Sequence, residues 1–265
     1  MGVLDGRVAI VTAGGGMGMG SAISKTFAKE GAAVVLADMN FDRAKEVARE
    51  INETGGKALA VATNVLKSAE VERMVETTVR EFGKVSILIN HAGEGGGKPI
   101  EEMTEEWWDF VIGVNLKGTY LCTRAAVPHM KKERWGRIVS TVSKGGFRVS
   151  NGVMGLTAYA AAKQGMVGFS RALAMELGPW NITLNCIAPG FVAGSGMIDP
   201  STGKVHVPTP EQQVASTKNA GQIVQPLRYA SVEEAVGAFM YFVGPAAERI
   251  TGTTMHLNGG SYFGA

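Results

Sequence analysis

Apolar positions along the chain follow two alternating rhythms. Short runs at 7–12, 33–37, 57–63, Ile87–Asn90, 137–141, 183–188 and 253–257 are rich in apolar and β-branched residues and predict strands. Between them the apolar residues recur at three and four positions. Val71, Met74, Val75, Val79 and Phe82 make one such stripe, and a helix-like pattern runs from Ser21 through Phe27 to Glu30. A long helix is predicted over 104–134, with Glu105 and Glu106 in its first turn. A later helix shows a stripe of Met166, Phe169, Leu173 and Leu177, and Ser231-Val-Glu-Glu234 is a capping box that opens the last one. Strands separated by helices of this length need right-handed crossovers, so the pattern predicts an α/β fold with a doubly wound parallel sheet. With no repeat, low-complexity stretch or linker, residues 1–265 are expected to form a single domain.

Candidate chemistry sits where strands end. The first strand runs into Ala13-Gly-Gly-Gly-Met-Gly-Met-Gly20 and then a helix, the context in which a glycine loop binds phosphate. The sequence lacks a literal G-x-G-x-x-G; Gly14, Gly18 and Gly20 stand at i, i+4 and i+6, with Gly16, Met17 and Met19 between them. Asp38 ends the second strand, placed to accept from the ribose hydroxyls of an adenosine and to repel a 2′-phosphate. No Arg or Lys is its immediate neighbour, Arg43 following only after the next helix begins. Tyr159 and Lys163 stand at i and i+4, on one helical face a turn apart. An ammonium beside a phenol favours the phenolate, and lowering a pKa of about 10 by two to three units takes roughly 3–4 kcal/mol. The pair is therefore expected to work as an acid/base suited to an alcohol/ketone couple.

Composition narrows the partners. The 265 residues carry a formal net charge of +2 and no basic run, which gives no argument for nucleic acid. No signal peptide or membrane-spanning stretch is seen, and Cys122 and Cys186 have neither metal spacing nor a third partner. His129, His206 and His256 show no metal-ligand spacing either. A cytoplasmic protein without metal, with two packing thiols, is expected.

Taken in order, the glycine loop, Asp38, Asn90-His-Ala-Gly93, Asn115, Ser143, Tyr159/Lys163, Pro189-Gly190 and Asn258-Gly-Gly260 resemble the short-chain dehydrogenase/reductase family over essentially the whole chain. The resemblance implies a Rossmann-like seven-stranded sheet, NAD(P) across the strand C-termini and usually a homotetramer; with Asp38 the cofactor is expected to be NAD, and the substrate a small-molecule secondary alcohol or ketone. It implies catalytic roles for Asn115, Ser143, Tyr159 and Lys163: acid/base for Tyr159, ribose ligand and pKa depressor for Lys163, substrate oxygen for Ser143, a water linked to Lys163 for Asn115. Cofactor contacts would come from Gly14, Gly16, Met17, Gly18, Met19, Asp38, Asn64, Val65, His91, Ala92, Gly93, Tyr159, Lys163, Pro189, Gly190 and Val192. The chain departs from the family at several points. Either Thr12 or Ala13 fills a threonine's place, Asn64 stands for an adenine-binding aspartate, and His91 replaces an asparagine as a structural substitute. The stretch from Ser143 to Tyr159 is three residues longer than usual, with Ser140 and Thr141 as fallback hydroxyls. Gly194, beside Ser195, holds the usual place of a threonine for the nicotinamide amide.

Residues 194–225 are expected to form a substrate lid, with hinges at Gly194, Gly196 and Gly203 and a short helix over 210–220 opened by Thr209-Pro-Glu-Gln212. Met197, Ile198, Val205 and Val207 would lie over a medium-sized, largely apolar substrate. Lys144 and Arg148 are loop charges that an anionic substrate could meet, and Trp107 and Trp108 fit packing or a subunit interface. Two other readings stay open: a relative using the same tyrosine for epimerisation or dehydration, and a non-catalytic dinucleotide sensor.

Overall fold

The computed structural model describes residues 2–147, 155–192, 197–198, 205–206, 227 and 230–262. Its strands are β1 (Val8–Thr12), β2 (Ala33–Asp38), β3 (Lys57–Ala62), β4 (Ile87–Asn90), β5 (Gly136–Thr141), β6 (Ile182–Pro189), β7 (Met197–Ile198), β8 (Val205–His206) and β9 (Thr254–Leu257). The helices are α1 (Met19–Lys29), α2 (Phe41–Glu53), α3 (Ser68–Phe82), α4 (Glu105–Ile112), α5 (Gly118–Glu133), α6 (Thr157–Leu177) and α7 (Val232–Val243).

Seven strands pair in the order β3-β2-β1-β4-β5-β6-β9, all parallel. The predicted sheet is therefore the observed one. The chain winds outward from β1 to β3, then returns to lay β4 on the other side of β1. That reversal opens a crevice beyond the carboxyl ends of β1 and β4, where such sheets bind ligands. The pleat divides the strand residues between two cores. Val34 and Leu36 pack in one core with Ile23, Phe27, Phe239 and Phe242, while Ile10 and Val35 share the other with Leu88 and Leu184 of the sheet and Met74 and Met130 of the helices. Fully burying an aromatic or branched side chain contributes about 1.5–3 kcal/mol, so these faces hold the strand ends in place for the site.

Three local features differ from the sequence pattern. The helix predicted over 104–134 is interrupted by a π turn, Gly113–Lys117, which carries Asn115. In α6 the buried residues are Ala158, Ala162, Lys163, Met166, Val167, Ser170, Ala174 and Leu177, whereas Phe169 and Leu173 are only half-buried. The helix turns its small residues inward because β6 lies close against it, and Phe169 meets Tyr120 edge-on instead. Finally, β7 and β8 pair antiparallel as a small ribbon that the pattern did not predict. The rest of the expected lid, including Gly194, Ser195 and the helix over 210–220, lies outside the described residues, as does Arg148. Among the described residues no helix is long and apolar enough to cross a membrane.

Candidate active site

The crevice starts at the glycine loop. Gly18 has φ 85°, a left-handed conformation that a glycine adopts without strain, and no side chain caps the start of α1 behind it. A Cβ on Gly14 would stand 2.7 Å from the Val11 carbonyl oxygen, and one on Gly15 would stand 2.6 Å from Ala44 Cα. A Cβ on Gly20 would run into the Ala13 carbonyl. The loop is thus pressed against β1 and α2, and Gly16 closes it by donating to the Ala13 carbonyl at 3.1 Å. Met17 is exposed and Met19 packs against the core. Of the two candidates for the threonine position, Thr12 makes the connections. Its hydroxyl donates to the Ile89 carbonyl and accepts the N–H groups of His91 and Ala92, both at 2.9 Å, tying β1 to β4.

Asp38 stands where expected, at the tip of β2. Its carboxylate accepts from the N–H groups of Gly15 (3.1 Å) and Asn40 (2.9 Å). Burial pushes its pKa up, against those two bonds and the Arg43 charge. Here spacing along the chain misled: the first turn of α2 brings Arg43 back, where its Nε donates to the Gly15 carbonyl at 3.5 Å. Asn64 uses its side-chain oxygen locally, accepting from Leu66 N–H at 2.9 Å. Val65 is buried; a Cβ on Gly118 of α5 would stand 2.9 Å from its methyl. Gly190 donates to the Leu257 carbonyl at 2.8 Å, and Val192 is buried in a bridge with Ala230. Pro189, the last residue of β6, is paired with Leu257.

Beyond β4 the groups with chemistry converge. Ser143 hydrogen-bonds to Tyr159 and also accepts from Gly145 N–H at 3.1 Å. The longer stretch between them is taken up in part by a 3-10 turn, Lys144–Gly146, so the serine keeps contact with the tyrosine. Ser140 and Thr141, the fallback hydroxyls, are instead buried in β5 and engaged with Asn90 and His91. Lys163 is 3% exposed and donates to the Thr141 carbonyl at 2.8 Å, with its Nζ 5.5 Å from the Tyr159 ring centre. Asn115 donates to the carbonyls of Glu94 and Val111, both at 2.9 Å, leaving its buried Oδ1 without a partner. A Cβ on Gly93 would stand 2.6 Å from that oxygen and 3.2 Å from Lys163 Nζ, so both polar atoms face the Gly93 Cα.

Electrostatics here correct the expectation that Lys163 lowers the tyrosine pKa. Burial around the Tyr159 hydroxyl pushes it up; the Ser143 bond opposes that shift and the Glu94 charge adds to it. Burial also brings Lys163 down to about 8. The spacing revealed a positive neighbour but not the loss of water around both groups, which is the larger effect. His91 is held neutral by burial and the Lys163 charge, with a pKa of about 4, and its Nδ1 lies 2.9 Å from Thr141 Oγ1. It bridges β4 to β5 as a structural group.

The residues present fit a dinucleotide. The glycine cradle admits close approach of a phosphate to an uncapped helix start, Asp38 offers a fixed carboxylate, and Asn115 Oδ1 is a buried acceptor with no partner among the described residues.

The chain is similar over nearly its whole length to known proteins. The short chain dehydrogenase family model matches residues 7–204. A 3-oxoacyl-acyl-carrier-protein reductase of Aquifex aeolicus is 36% identical over 261 residues, covering 98% of each chain. A hydroxy(phenyl)methylsuccinyl-CoA dehydrogenase subunit of Thauera aromatica is 34% identical over 258 residues, covering 97% of each. A solved dehydrogenase/reductase from Sinorhizobium meliloti superposes with a TM-score of 0.84 at 29% identity, over 98% of this chain and 96% of that one.

Proposed function

This chain belongs to the short chain dehydrogenase family of oxidoreductases, which use nicotinamide cofactors, and we propose that it interconverts a secondary alcohol and a ketone with NAD(H). The observation that carries this reading is the hydrogen-bonded Ser143–Tyr159 pair beside the buried Lys163, with Ser143 Oγ and the Tyr159 ring both close to Gly145 and Lys163 Nζ close to Gly93.

Gly14, Gly16, Met17, Gly18 and Met19 would hold the pyrophosphate through backbone N–H groups at the start of α1. Asp38 would hold the adenosine ribose, with Asn64 and Val65 along the base. His91, Ala92, Gly93, Pro189, Gly190 and Val192 would line the nicotinamide half, with Tyr159 and Lys163 on its ribose. When bound, the dinucleotide supplies a hydride acceptor in its oxidised form and a hydride donor in its reduced form. The protein's part is the proton. Burial keeps the Tyr159 phenol protonated, the form that hands a proton to a ketone oxygen. Ser143, bonded to the same hydroxyl, would orient that oxygen. Lys163 would compensate the phenolate left behind, and Asn115 Oδ1 and Lys163 Nζ, both close to Gly93, would hold a water through which the proton is replaced.

The preference for NAD(H) rests on Asp38. Two unit charges about 4 Å apart near a protein surface interact by about 4 kcal/mol, so a phosphate dianion against a fixed carboxylate is strongly disfavoured. Arg43 softens this through the same loop but does not remove the carboxylate. Exposed Trp108, Phe110 and Tyr120 on α4 and α5 support a homo-oligomer, read here as a tetramer. Two free buried thiols are in keeping with a cytoplasmic setting.

The test is cofactor oxidation against a panel of ketones, with Tyr159→Phe as the discriminating variant. Turnover should fall by about 10²–10⁴ while cofactor binding, read by fluorescence, survives. Near wild-type turnover in that variant would show the central assignment to be wrong.

A further inference from the structure

The parallel ladder between β4 and β5 ends at Asn90 and Ser140, one residue short of Thr141. On the other side β5 stays paired one residue further, Thr141 with Ile187, and Val142 N–H then donates to the Ile187 carbonyl at 2.8 Å. The last residue of β5 is thus paired toward β6 and unpaired toward β4. What joins it to β4 is a side-chain contact, with His91 Nδ1 2.9 Å from Thr141 Oγ1. The His91 main-chain N–H is engaged elsewhere, donating to Thr12 Oγ1 at 2.9 Å and to the Ile89 carbonyl at 3.1 Å. Its ring is confined as well. A Cβ on Gly20 of α1 would stand 3.4 Å from His91 Cδ2, and Phe239 of α7 meets the imidazole edge-on, with ring centres 6.5 Å apart. Thr141, 7% exposed, therefore has two partners of different kinds. Its hydroxyl meets His91, and its carbonyl accepts from Lys163 Nζ at 2.8 Å, the one hydrogen bond of that ammonium among the described residues.

We propose that His91 is a positioning residue for Lys163: its contact with the Thr141 hydroxyl fixes the last residue of β5, and with it the carbonyl that holds the ammonium beside Tyr159. The hydroxyl and the carbonyl belong to one β-branched residue whose χ1 is stiff, so holding the first orients the second. A buried polar chain with each member partnered is rigid, and a small misplacement of a catalytic group is costly in rate. Burial and the Lys163 charge keep the imidazole neutral, with a pKa of about 4, so the contact persists throughout the neutral range. The role rests on the ketone-reductase reading above and adds to it a group that acts on Lys163 through Thr141.

Four variants of the full-length protein test the link. His91→Phe keeps a ring and removes its nitrogens, while Thr141→Val keeps the branched shape and removes the hydroxyl. His91→Asn retains a polar atom near the Nδ1 position, and Thr141→Ser retains the hydroxyl. With a ketone that wild type reduces, kcat should fall by about 3–10-fold in His91→Phe and in Thr141→Val. His91→Asn and Thr141→Ser should each recover most of the loss of their partner variant. The double variant His91→Phe/Thr141→Val should lose no more than the worse single one, because both changes break one contact. Losses that multiply, or that the conservative variants do not recover, overturn the proposal. Should His91→Phe not fold, the two Thr141 variants read the same contact from its other end and decide it. Absence of turnover with every ketone would count against the ketone-reductase reading itself. The proposal is then decided by acetylation of the cofactor-free protein with N-hydroxysuccinimidyl acetate, followed at each lysine by mass spectrometry. Labelling of Lys163 should quicken by about 2–10-fold in His91→Phe and Thr141→Val, less in the conservative variants, with the other lysines unchanged. An unchanged rate at Lys163, or equal acceleration at every lysine, refutes the positioning role.

Discussion

Lys163 offers the sharpest quantitative prediction, because its ammonium is buried and held by one carbonyl. In the unfolded chain its ordinary pKa is 10.5; in the folded protein burial lowers it to about 8. Between those values the unfolded state keeps the proton that the folded state has released. The unfolded state then binds more protons, so stability rises with pH across that window. Below pH 8 both states are protonated and the full cost of burying the charge is present. The gap between 10.5 and about 8 corresponds to about 3 kcal/mol. Lys163→Met keeps most of the apolar stem and removes the ammonium, and with it the bond to the Thr141 carbonyl. Those changes offset the two stabilities by a constant at neutral pH. Urea unfolding of the cofactor-free proteins between pH 6 and 10.5 should then show wild type gaining about 3 kcal/mol relative to the variant, nearly all above pH 8. Cys186 and Cys122 act in the opposite sense at alkaline pH, since burial raises them to about 11 and about 12. Cys122 is set by burial alone and cancels in the difference, whereas Cys186 is held down in part by the Lys163 charge, so the variant loses more stability through it at alkaline pH and the difference keeps its sign. Parallel stability curves would refute the reasoning, showing that Lys163 titrates alike in both states.

Two further substitutions probe the cradle. Asp38→Ala combined with Met39→Arg should move the kcat/KM preference from NAD(H) toward NADP(H), and comparable values for the two cofactors in wild type would count against the role given to Asp38. Gly93→Ala places a methyl 2.6 Å from Asn115 Oδ1 and 3.2 Å from Lys163 Nζ. It should cost about 1–3 kcal/mol in urea unfolding and lower turnover more than it lowers cofactor affinity, as measured by fluorescence titration.

Much of this protein is legible in its amino-acid sequence alone. Strand and helix rhythms determine the order of elements, because period 2 and period 3.6 follow from backbone geometry. The parallel seven-stranded sheet follows from that order through the handedness of crossovers. Tyr159 and Lys163 are legible for the same reason: four residues on a helix is one turn. The glycine loop and Asp38 are legible because they sit at strand ends, where the chain direction settles which side of the sheet they reach. Contacts between distant segments are not legible. No spacing links Lys163 to the Thr141 carbonyl, Thr12 to the Ile89 carbonyl, or Arg43 to the Gly15 carbonyl. The π turn at Asn115 replaces regular α-helical bonding locally and leaves no mark in the apolar pattern. In α6 the pattern points to Phe169 and Leu173, yet the approach of β6 buries Ala162, Ser170 and Ala174 instead. The protonation of the site is decided in the same way. A tyrosine beside a lysine reads as a lowered phenol pKa, but how much water each group loses depends on everything packed around it, and that burial raises Tyr159 while lowering Lys163.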